Sequence, residues 1–404
     1  MSRIDDLIQE LCPAGVEFRP LSDCIDKNLG GGTPSKSESS YWEGDIPWAS
    51  VGDLSIPGLV ISSTRNSITD LGLANSSSNK VPKGSIVVAV KISPGKMKLA
   101  GTDLAINQDL RGLILNSCLN ERFLAYYFQT INLVTNGTIV QSITNSFLGK
   151  TLIPLPPIEV QREIVSILDK FTELEAELEA ELEARRNQYA FYREQLLTFP
   201  ETGGVRRVPM GEFAELVRGN GMPKADFTEV GIPAIHYGQI YTHYGSWALE
   251  TKSFVSSATA AKLAKVERGD IVITNTSENI GDVGQAVAWL GREQAVTGGH
   301  ATVIKHNQNP KYLVYYFQTA EFTSAKRKFV TGTKVFDVSA KSFAKIQVPL
   351  PDRDTQDQIV EILDYFHELV NDISIGLPAE LAARRKQYEY YRDKLLTFKE
   401  LKSA

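Results

Sequence analysis

Two short stretches concentrate side chains able to make directed polar contacts. "KISPGKMKLAG" (91–101) carries Lys91, Lys96 and Lys98, and "NTSENIGDVG" (275–284) carries Asn275, Thr276, Ser277 and Asn279. Each follows an apolar, β-branched run, "SIVVAV" or "DIVIT", that reads as a buried strand. Amide and hydroxyl groups read the edges of nucleobases while lysine and arginine hold phosphates, so the chemistry on offer suits nucleic acid. "IHYGQIYTHYG" (235–245) adds His236, Tyr237, Gln239 and Tyr241, and "AKRKF" (325–329) adds Lys326, Arg327 and Lys328 for phosphate. Lys36 and Lys334 complete the basic candidates. For each of these residues the plainer alternative is an ordinary solvated side chain.

Motifs for bond-making chemistry are missing. "GGGTPSKS" (30–37) is glycine-rich, but a phosphate loop needs Gly directly before Lys, and here Ser35 stands before Lys36. The histidines, His236, His243, His300, His306 and His367, lack metal-ligand spacing and nucleophile motifs. Cys12, Cys24 and Cys118 form no CxxC pair and indicate neither a disulfide frame nor a zinc site. An adenine methyltransferase would carry an Asp/Asn-Pro-Pro-aromatic motif, whereas the one Pro-Pro here lies in "LPPIE". The chain therefore reads as a binding protein, with no catalytic residues of its own.

The polar stretches must be positioned by a larger frame. At 404 residues the chain exceeds one compact core and implies two domains. A hydrophobic content of 42% with 23% charged residues is that of a soluble globular protein, no apolar run approaches a membrane span, and a cytoplasmic location without membrane contact is expected. A net charge of −5 argues against a nucleic-acid partner until its distribution is seen. Residues 159–183 carry −7 by themselves, whereas 200–351 carry +4. Acidity is thus concentrated in one segment, leaving the rest compatible with DNA.

The frame is a tandem repeat. "ARRNQYAFYREQLLTF" (184–199) returns as "ARRKQYEYYRDKLLTF" (383–398), and "IPLPPIEVQREIVSILDKFTEL" (153–174) as "VPLPDRDTQDQIVEILDYFHEL" (348–369). Upstream, "FLAYYFQT" (123–130) matches "YLVYYFQT" (312–319), "VPKGSIVVAV" (81–90) matches "VERGDIVITN" (266–275), and "IPWASVGDL" (46–54) matches "IPAIHYGQI" (232–240). Even "LIQELCPAGVEFRPL" (7–21) lines up with "LLTFPETGGVRRVPM" (196–210), so the N-terminus resembles the tail of a preceding helix. That pattern suits a nearly circular arrangement. The strand cores agree between copies while the loops after them differ, as in two readers of different targets on one scaffold.

"PLPP" and "PLPD" mark the starts of two long helices, since proline is accepted in a first turn. In the first, a seam at steps of three or four residues runs through Phe171, Leu174, Leu178, Leu182, Arg185, Tyr189, Tyr192, Leu196 and Phe199. The second seam is Phe366, Leu369, Ile373, Leu377, Leu381, Arg384, Tyr388, Tyr391, Leu395 and Phe398. Tyr189, Phe191 and Tyr192 read as helix packing. Gly376 and Pro378 should bend or interrupt the second helix, and connectivity requires the two to run antiparallel.

With these residues in hand, the chain resembles the DNA-specificity subunit of type I restriction-modification systems. "PLPPIEVQREIVSILDKF", "ARRKQYEYYRDKLLTF" and the paired "GTIVQSI" and "GTKVFDV" carry the resemblance, and the tetrads of "TELEAELEAELE" (172–183) resemble one subfamily's spacer repeats. The resemblance implies an α+β fold with two mixed α/β target-recognition domains related by duplication, separated by two long antiparallel coiled-coil helices with pseudo-two-fold, circular organisation. It divides the chain into recognition domains at 1–152 and 201–347 and helical regions at 153–200 and 348–404. It further implies binding to a bipartite site on double-stranded DNA and docking of two modification (methyltransferase) subunits and two restriction (translocase and endonuclease) subunits. The spacer and docking residues would be Leu174, Leu178, Leu182, Arg185, Tyr189, Tyr192, Leu369, Ile373, Leu377, Arg384, Tyr388 and Tyr391. S-adenosylmethionine, ATP and Mg would sit on those partners and none on this chain, and methylation of adenine and ATP-dependent cleavage would belong to the assembled complex. A coiled-coil adaptor without DNA specificity is the alternative.

Deleting one tetrad, Ala176–Glu179, should shorten the spacer by about 6 Å of helix rise. Mapping the recognised sites of this variant should give a reduced gap between two unchanged half-sites; altered half-sites would overturn the assignment of roles.

Overall fold

Proline sets where the long helices begin. Pro156 and Pro157 precede helix α1 (Ile158–Leu197), which runs uninterrupted for 40 residues. The corresponding segment of the second repeat is two helices, α2 (Arg353–Asn371) and α3 (Leu377–Leu395). Asp352 caps α2 by accepting from the Thr355 N–H, and Pro378 sits in the first turn of α3, where its missing N–H costs nothing. The expected interruption at Gly376 and Pro378 is therefore present. This computed structural model describes residues 3–131, 133, 141–200, 204–372 and 374–401. Ile373 lies outside the described residues, as does most of "GTIVQSI".

The chain forms two compact units, Met1–Glu179 with Glu380–Ala404, and Ala180–Ala379. In the first, a five-stranded sheet has the order Ile25–Gly30, Leu110–Leu115, Ile86–Ala89, Met97–Ala100, Val60–Ile61, antiparallel except for the last pair. A four-stranded sheet orders Asn66–Ile68, Trp42–Ala49, Leu104–Ile106 and Lys80–Val81, with a parallel central pair. Strand Ile86–Ala89 is buried throughout, as its unbroken apolar run requires. The chain ends meet in this unit: the Val16 N–H donates to the Lys399 carbonyl and the Leu401 N–H to the Val16 carbonyl. Gly15 permits the approach, with φ +119° and a hypothetical Cβ only 2.8 Å from the Lys399 oxygen. The N-terminal segment and the segment after α3 are thus joined by backbone hydrogen bonds within this unit.

The second unit repeats the plan. One five-stranded sheet orders Ala214–Arg218, Ala301–His306, Ile271–Thr274, Ala286–Trp289 and Trp247–Ala248, again with a parallel last pair. Its companion, here also five-stranded, orders Phe227–Thr228, Ser253–Val255, Ile232–Ile235, Ala295–Thr297 and Ala264–Val266, with Ile232–Ile235 and Ala295–Thr297 parallel.

Each unit is joined to its long helix by the same polar lock. Gln161, wholly buried, accepts from the Asn120 N–H (2.8 Å) and donates to the carbonyls of Cys118 (2.9 Å) and Pro156 (2.8 Å). Gln356, equally buried, accepts from the Asn309 N–H (3.0 Å) and donates to Gln308 (2.8 Å) and the Pro351 carbonyl (2.9 Å). Further along, Asp169 accepts from Arg122 and the Tyr126 hydroxyl, and Asp364 accepts from Lys311 and the Tyr315 hydroxyl.

Helix pairing within each unit is antiparallel and partly aromatic. In the first, Phe171 of α1 stacks on Tyr391 of α3 (centroids 5.5 Å) while Arg385 of α3 reaches Glu175 and Glu179 of α1. In the second, Tyr192 stacks on Phe366 (5.2 Å) and Tyr189 meets His367 edge-on. Two expected seam residues need correction. Leu174 is 49% exposed, because at that turn α1 turns its acidic side to Arg385. Arg384 is exposed and pairs with Glu380 on its own helix, leaving the cross-helix role to Arg385. Leu182 and Tyr189 are buried as the seam requires, while Phe191 points outward. Among the described residues, no helix is long and apolar enough to cross a membrane.

Replacing Gln356 by Leu leaves a buried N–H and two acceptors without partners, at a cost of about 2–4 kcal/mol. Urea unfolding of Gln356→Leu should show a correspondingly lower midpoint, and Gln161→Leu a comparable loss; an unchanged midpoint in both would remove the lock from the account of the fold.

Candidate nucleic-acid interface

In each unit three backbone segments converge where a parallel strand pair ends. In the first unit they are the loop 31–36, the end of strand Trp42–Ala49, and the turn after Leu104–Ile106. Gly31 lies so close to that turn that an added Cβ would fall 1.8 Å from the Asn107 oxygen. Two indoles pin the loop: Trp48 Nε1 donates to the Gly32 carbonyl and Trp42 Nε1 to the Ser35 carbonyl, the rings meeting edge-on at 5.3 Å. The result is a cleft of about 650 Å³ lined by Thr33, Lys36, Trp42, Ser50, Asn66 and Gln108, with Trp48 and Asn107 at its base. Lys36, Asn66 and Gln108 are exposed.

The second unit builds the same corner with different side chains. A Cβ on Gly219 would approach the Gly298 oxygen at 2.4 Å, and the loop continues through Pro223 to exposed Lys224, as the first loop continues through Pro34 to Lys36. His236 stands where the first unit has Ser50, and Gln239 where it has Asp53. Asp53 is buried and accepts from the Ser50 N–H and hydroxyl; burial alone would raise its pKa, but these bonds and those from Arg65 lower it. Correspondingly, Gln239 accepts from the His236 N–H and donates to the Ser253 hydroxyl (2.6 Å). Tyr237 lies between His236 (4.6 Å) and exposed His300 (4.8 Å), and His300 Nδ1 is 2.9 Å from the Thr276 hydroxyl.

Burial divides the sequence-derived candidates. Lys36, Lys91, Lys96, Asn279, Arg327 and Lys334 are exposed, and Tyr237, Gln239 and Ser277 half-buried. Lys91 pairs loosely with Asp109 (3.7 Å) and Lys96 points to Ser55 (3.4 Å). Four candidates are corrected. Lys98 is 4% exposed, its ammonium donating to the Ile56 and Pro57 carbonyls; Lys326 is 3% exposed and donates to the Gly281 and Val283 carbonyls. Asn275, fully buried, donates to the Val338 carbonyl and accepts from Thr302. His236 is buried, its Nδ1 accepting from the Gly238 N–H at the start of helix Tyr237–Thr242. These four side chains are buried and bonded within the protein, where they hold loops in place.

A profile of the type I restriction modification DNA specificity domain matches residues 13–184 and again 204–383. The chain belongs to that family. The specificity subunit of an Escherichia coli type I restriction enzyme is 35% identical over 271 residues, which cover 64% of this chain and 65% of that protein, just under two thirds of its length. The fold is shared with the type I restriction-modification S subunit from M. genitalium (TM-score 0.53, 18% identity, 95% of this chain and 96% of the other). It is shared also with a chain from a structural study of complex assembly and conformational transition in a type I system (TM-score 0.65, 18% identity, 95% and 98%).

The corner residues that sequence reasoning missed are Trp42, Asn66, Gln108, Lys224 and His300. Lys224 was detectable: it follows a Gly-x-Gly-Met-Pro run parallel to the Gly-Gly-Thr-Pro-Ser run before Lys36. Gln108 and His300 carry no sequence signal, since only the parallel strand pairing brings their turns to the corner.

All five histidines lie in the second unit. Burial, then the charges of Lys224 and His300, holds His236 below its ordinary pKa of 6.5, and burial pushes His306 down to about 4. Both bind a proton less readily folded than unfolded, so the stability they contribute is full above pH 6.5 and declines as pH falls toward 4. Urea midpoints between pH 7 and 5 should fall, and His306→Asn, which keeps an acceptor for the Gln308 N–H, should flatten the decline. An undiminished slope in that variant would assign the acid sensitivity elsewhere.

Proposed function

We propose that this chain is the sequence-reading, non-catalytic member of a type I restriction-modification complex, each unit reading one half of an asymmetric bipartite site on double-stranded DNA. The observation that carries the reading is one corner built twice on equivalent backbone with different side chains: exposed Lys36, Asn66 and Gln108 in one unit, and exposed Lys224 and His300 with half-buried Tyr237 in the other. The lysine is common to both and suits phosphate; the amides, phenol and imidazole differ and suit base edges. Two half-sites of unlike sequence follow from that division. Lys91, Lys96, Arg327 and Lys334, exposed near the strand-end loops, would add phosphate contacts.

The helices would dock the partner subunits. Phe191 of α1 and Tyr390 of α3 occupy matching places in the duplicated sequence and are 62% and 63% exposed. Large aromatic rings left in solvent at equivalent positions suit two like docking surfaces, hence two modification subunits, with two restriction subunits joining them. S-adenosylmethionine, ATP and Mg would be bound by those partners. The adaptor reading gives the exposed polar corners no task.

The test is to coexpress the chain with its modification subunit and map methylated adenines by single-molecule sequencing. A bipartite motif with a fixed gap is expected, and an assembled complex that methylates no site overturns the reading. Lys36→Ala and Lys224→Ala should each weaken DNA binding across sequences and reduce the slope of log affinity against log salt by about 1, with the motif unchanged.

A further inference from the structure

We propose that Cys24 and Cys118 form a reversible intramolecular disulfide, making the first repeat an oxidation site that the second lacks. Their sulfurs are 3.4 Å apart, although 94 residues separate them in sequence. Cys24 ends the turn Leu21–Cys24 and is fully buried, whereas Cys118 is exposed to a soluble oxidant. The two backbones are already tied: the Asn116 N–H donates to the Cys24 carbonyl (3.0 Å), Asn116 Nδ2 to the Asp23 carbonyl (3.0 Å), and the Cys118 N–H to Asn116 Oδ1 (3.2 Å). Joining the sulfurs therefore demands little backbone movement.

Packing does not account for the pair. In the second repeat the turn Met210–Phe213 takes the place of Leu21–Cys24 and ends in Phe213. Asn307, two residues before the helix-capping Asn309, stands where Cys118 precedes Asn120. The same scaffold is thus built without a thiol at either place. Cys12, the remaining thiol, is buried and has no sulfur partner among the described residues.

The chemistry closes with a peroxide as oxidant. The Cys118 thiolate attacks one peroxide oxygen, the O–O bond breaks, and a sulfenic acid and hydroxide result. Cys24 sulfur then bonds to Cys118 sulfur as the S–O bond breaks, and the departing hydroxide takes the Cys24 proton. Two thiols and one peroxide become one disulfide and two waters. Burial and the neighbouring Cys118 push the Cys24 thiol up to about 12, and Cys24 is shielded from solvent, so the exposed Cys118 meets the peroxide first. The bond would fasten the entry to strand Ile25–Gly30 to the loop whose Cys118 carbonyl receives Gln161, reinforcing the joint with α1.

The full-length protein is treated with hydrogen peroxide, unfolded in urea with an alkylating agent, and mapped by peptide mass spectrometry. The expected result is one cross-linked peptide joining Cys24 to Cys118, alkylated Cys12, reversal by dithiothreitol, and a raised urea midpoint. Cys118→Ser, altered at an exposed side chain, should fold normally and lose both the cross-link and the midpoint shift; Cys24→Ala should leave Cys118 as a sulfenic acid trapped by dimedone. Sulfinic Cys118 beside alkylated Cys24, a link through Cys12, a link between chains only, or the same midpoint shift in Cys118→Ser each overturns the proposal.

Discussion

The structure depends on a buried glutamine one turn into each long helix. An uncharged side chain with two donors and an acceptor can satisfy a loop N–H and two further oxygens at once, which no apolar residue could do without leaving them stranded. Gln161 and Gln356 do this for the loops that cap helices Glu121–Tyr127 and Pro310–Phe317. Two turns further along, Asp169 and Asp364 bind a tyrosine hydroxyl and a basic side chain of the same short helices. Apolar packing alone would tolerate a slide of one helix past the other. Directed bonds at two levels fix the register, so each sheet pair is held at a set rotation about the long helix.

That rigidity lets the corners diverge. The strand Ile86–Ala89 and its counterpart Ile271–Thr274 are buried on both faces, and each buried aliphatic side chain contributes on the order of 1.5–3 kcal/mol. Cost attaches to changing these residues. At the strand ends the backbone is constrained by close approaches, Gly31 on Asn107 and Gly219 on Gly298, while the side chains around them face solvent. Substitutions at Gln108 or Asn66 alter what a corner can contact without touching the core beneath. A scaffold that separates backbone placement from side-chain identity suits a task in which targets change and geometry does not.

Much of this was legible in the sequence because it rests on periodicity and repetition. The helix starts followed from proline, the interruption from Gly376 and Pro378, and the meeting of the chain ends from the match between 7–21 and 196–210. The site was less legible, for a physical reason. Lysine and asparagine have the same composition signal whether solvated or buried, and Lys98, Lys326 and Asn275 find carbonyl partners more than 40 residues away in the chain. Only the tertiary fold supplies those partners. The choice between Arg384 and Arg385 had the same character: adjacent residues on a helix differ by about 100° in direction, and Arg385 alone faces Glu175 and Glu179.

The two helical regions show how one sequence plan tolerates unequal construction. In α1 the tetrads combine alanine, leucine and glutamate, all strong helix formers, so the helix persists where few side chains are buried. Between α2 and α3 the chain stops by design of the turn. Asp372 accepts from the N–H groups of Ser374 and Ile375, and the Gly376 N–H returns to the Asp372 carbonyl. A Cβ on Gly376 would lie 2.6 Å from the Glu368 oxygen, so glycine is required for that closure. The insertion that makes the second copy four residues longer is thereby absorbed in a hydrogen-bonded turn. Tyr388 can therefore still meet Phe171, as its counterpart Tyr189 meets His367, and both units keep an aromatic contact between helices despite the different routes.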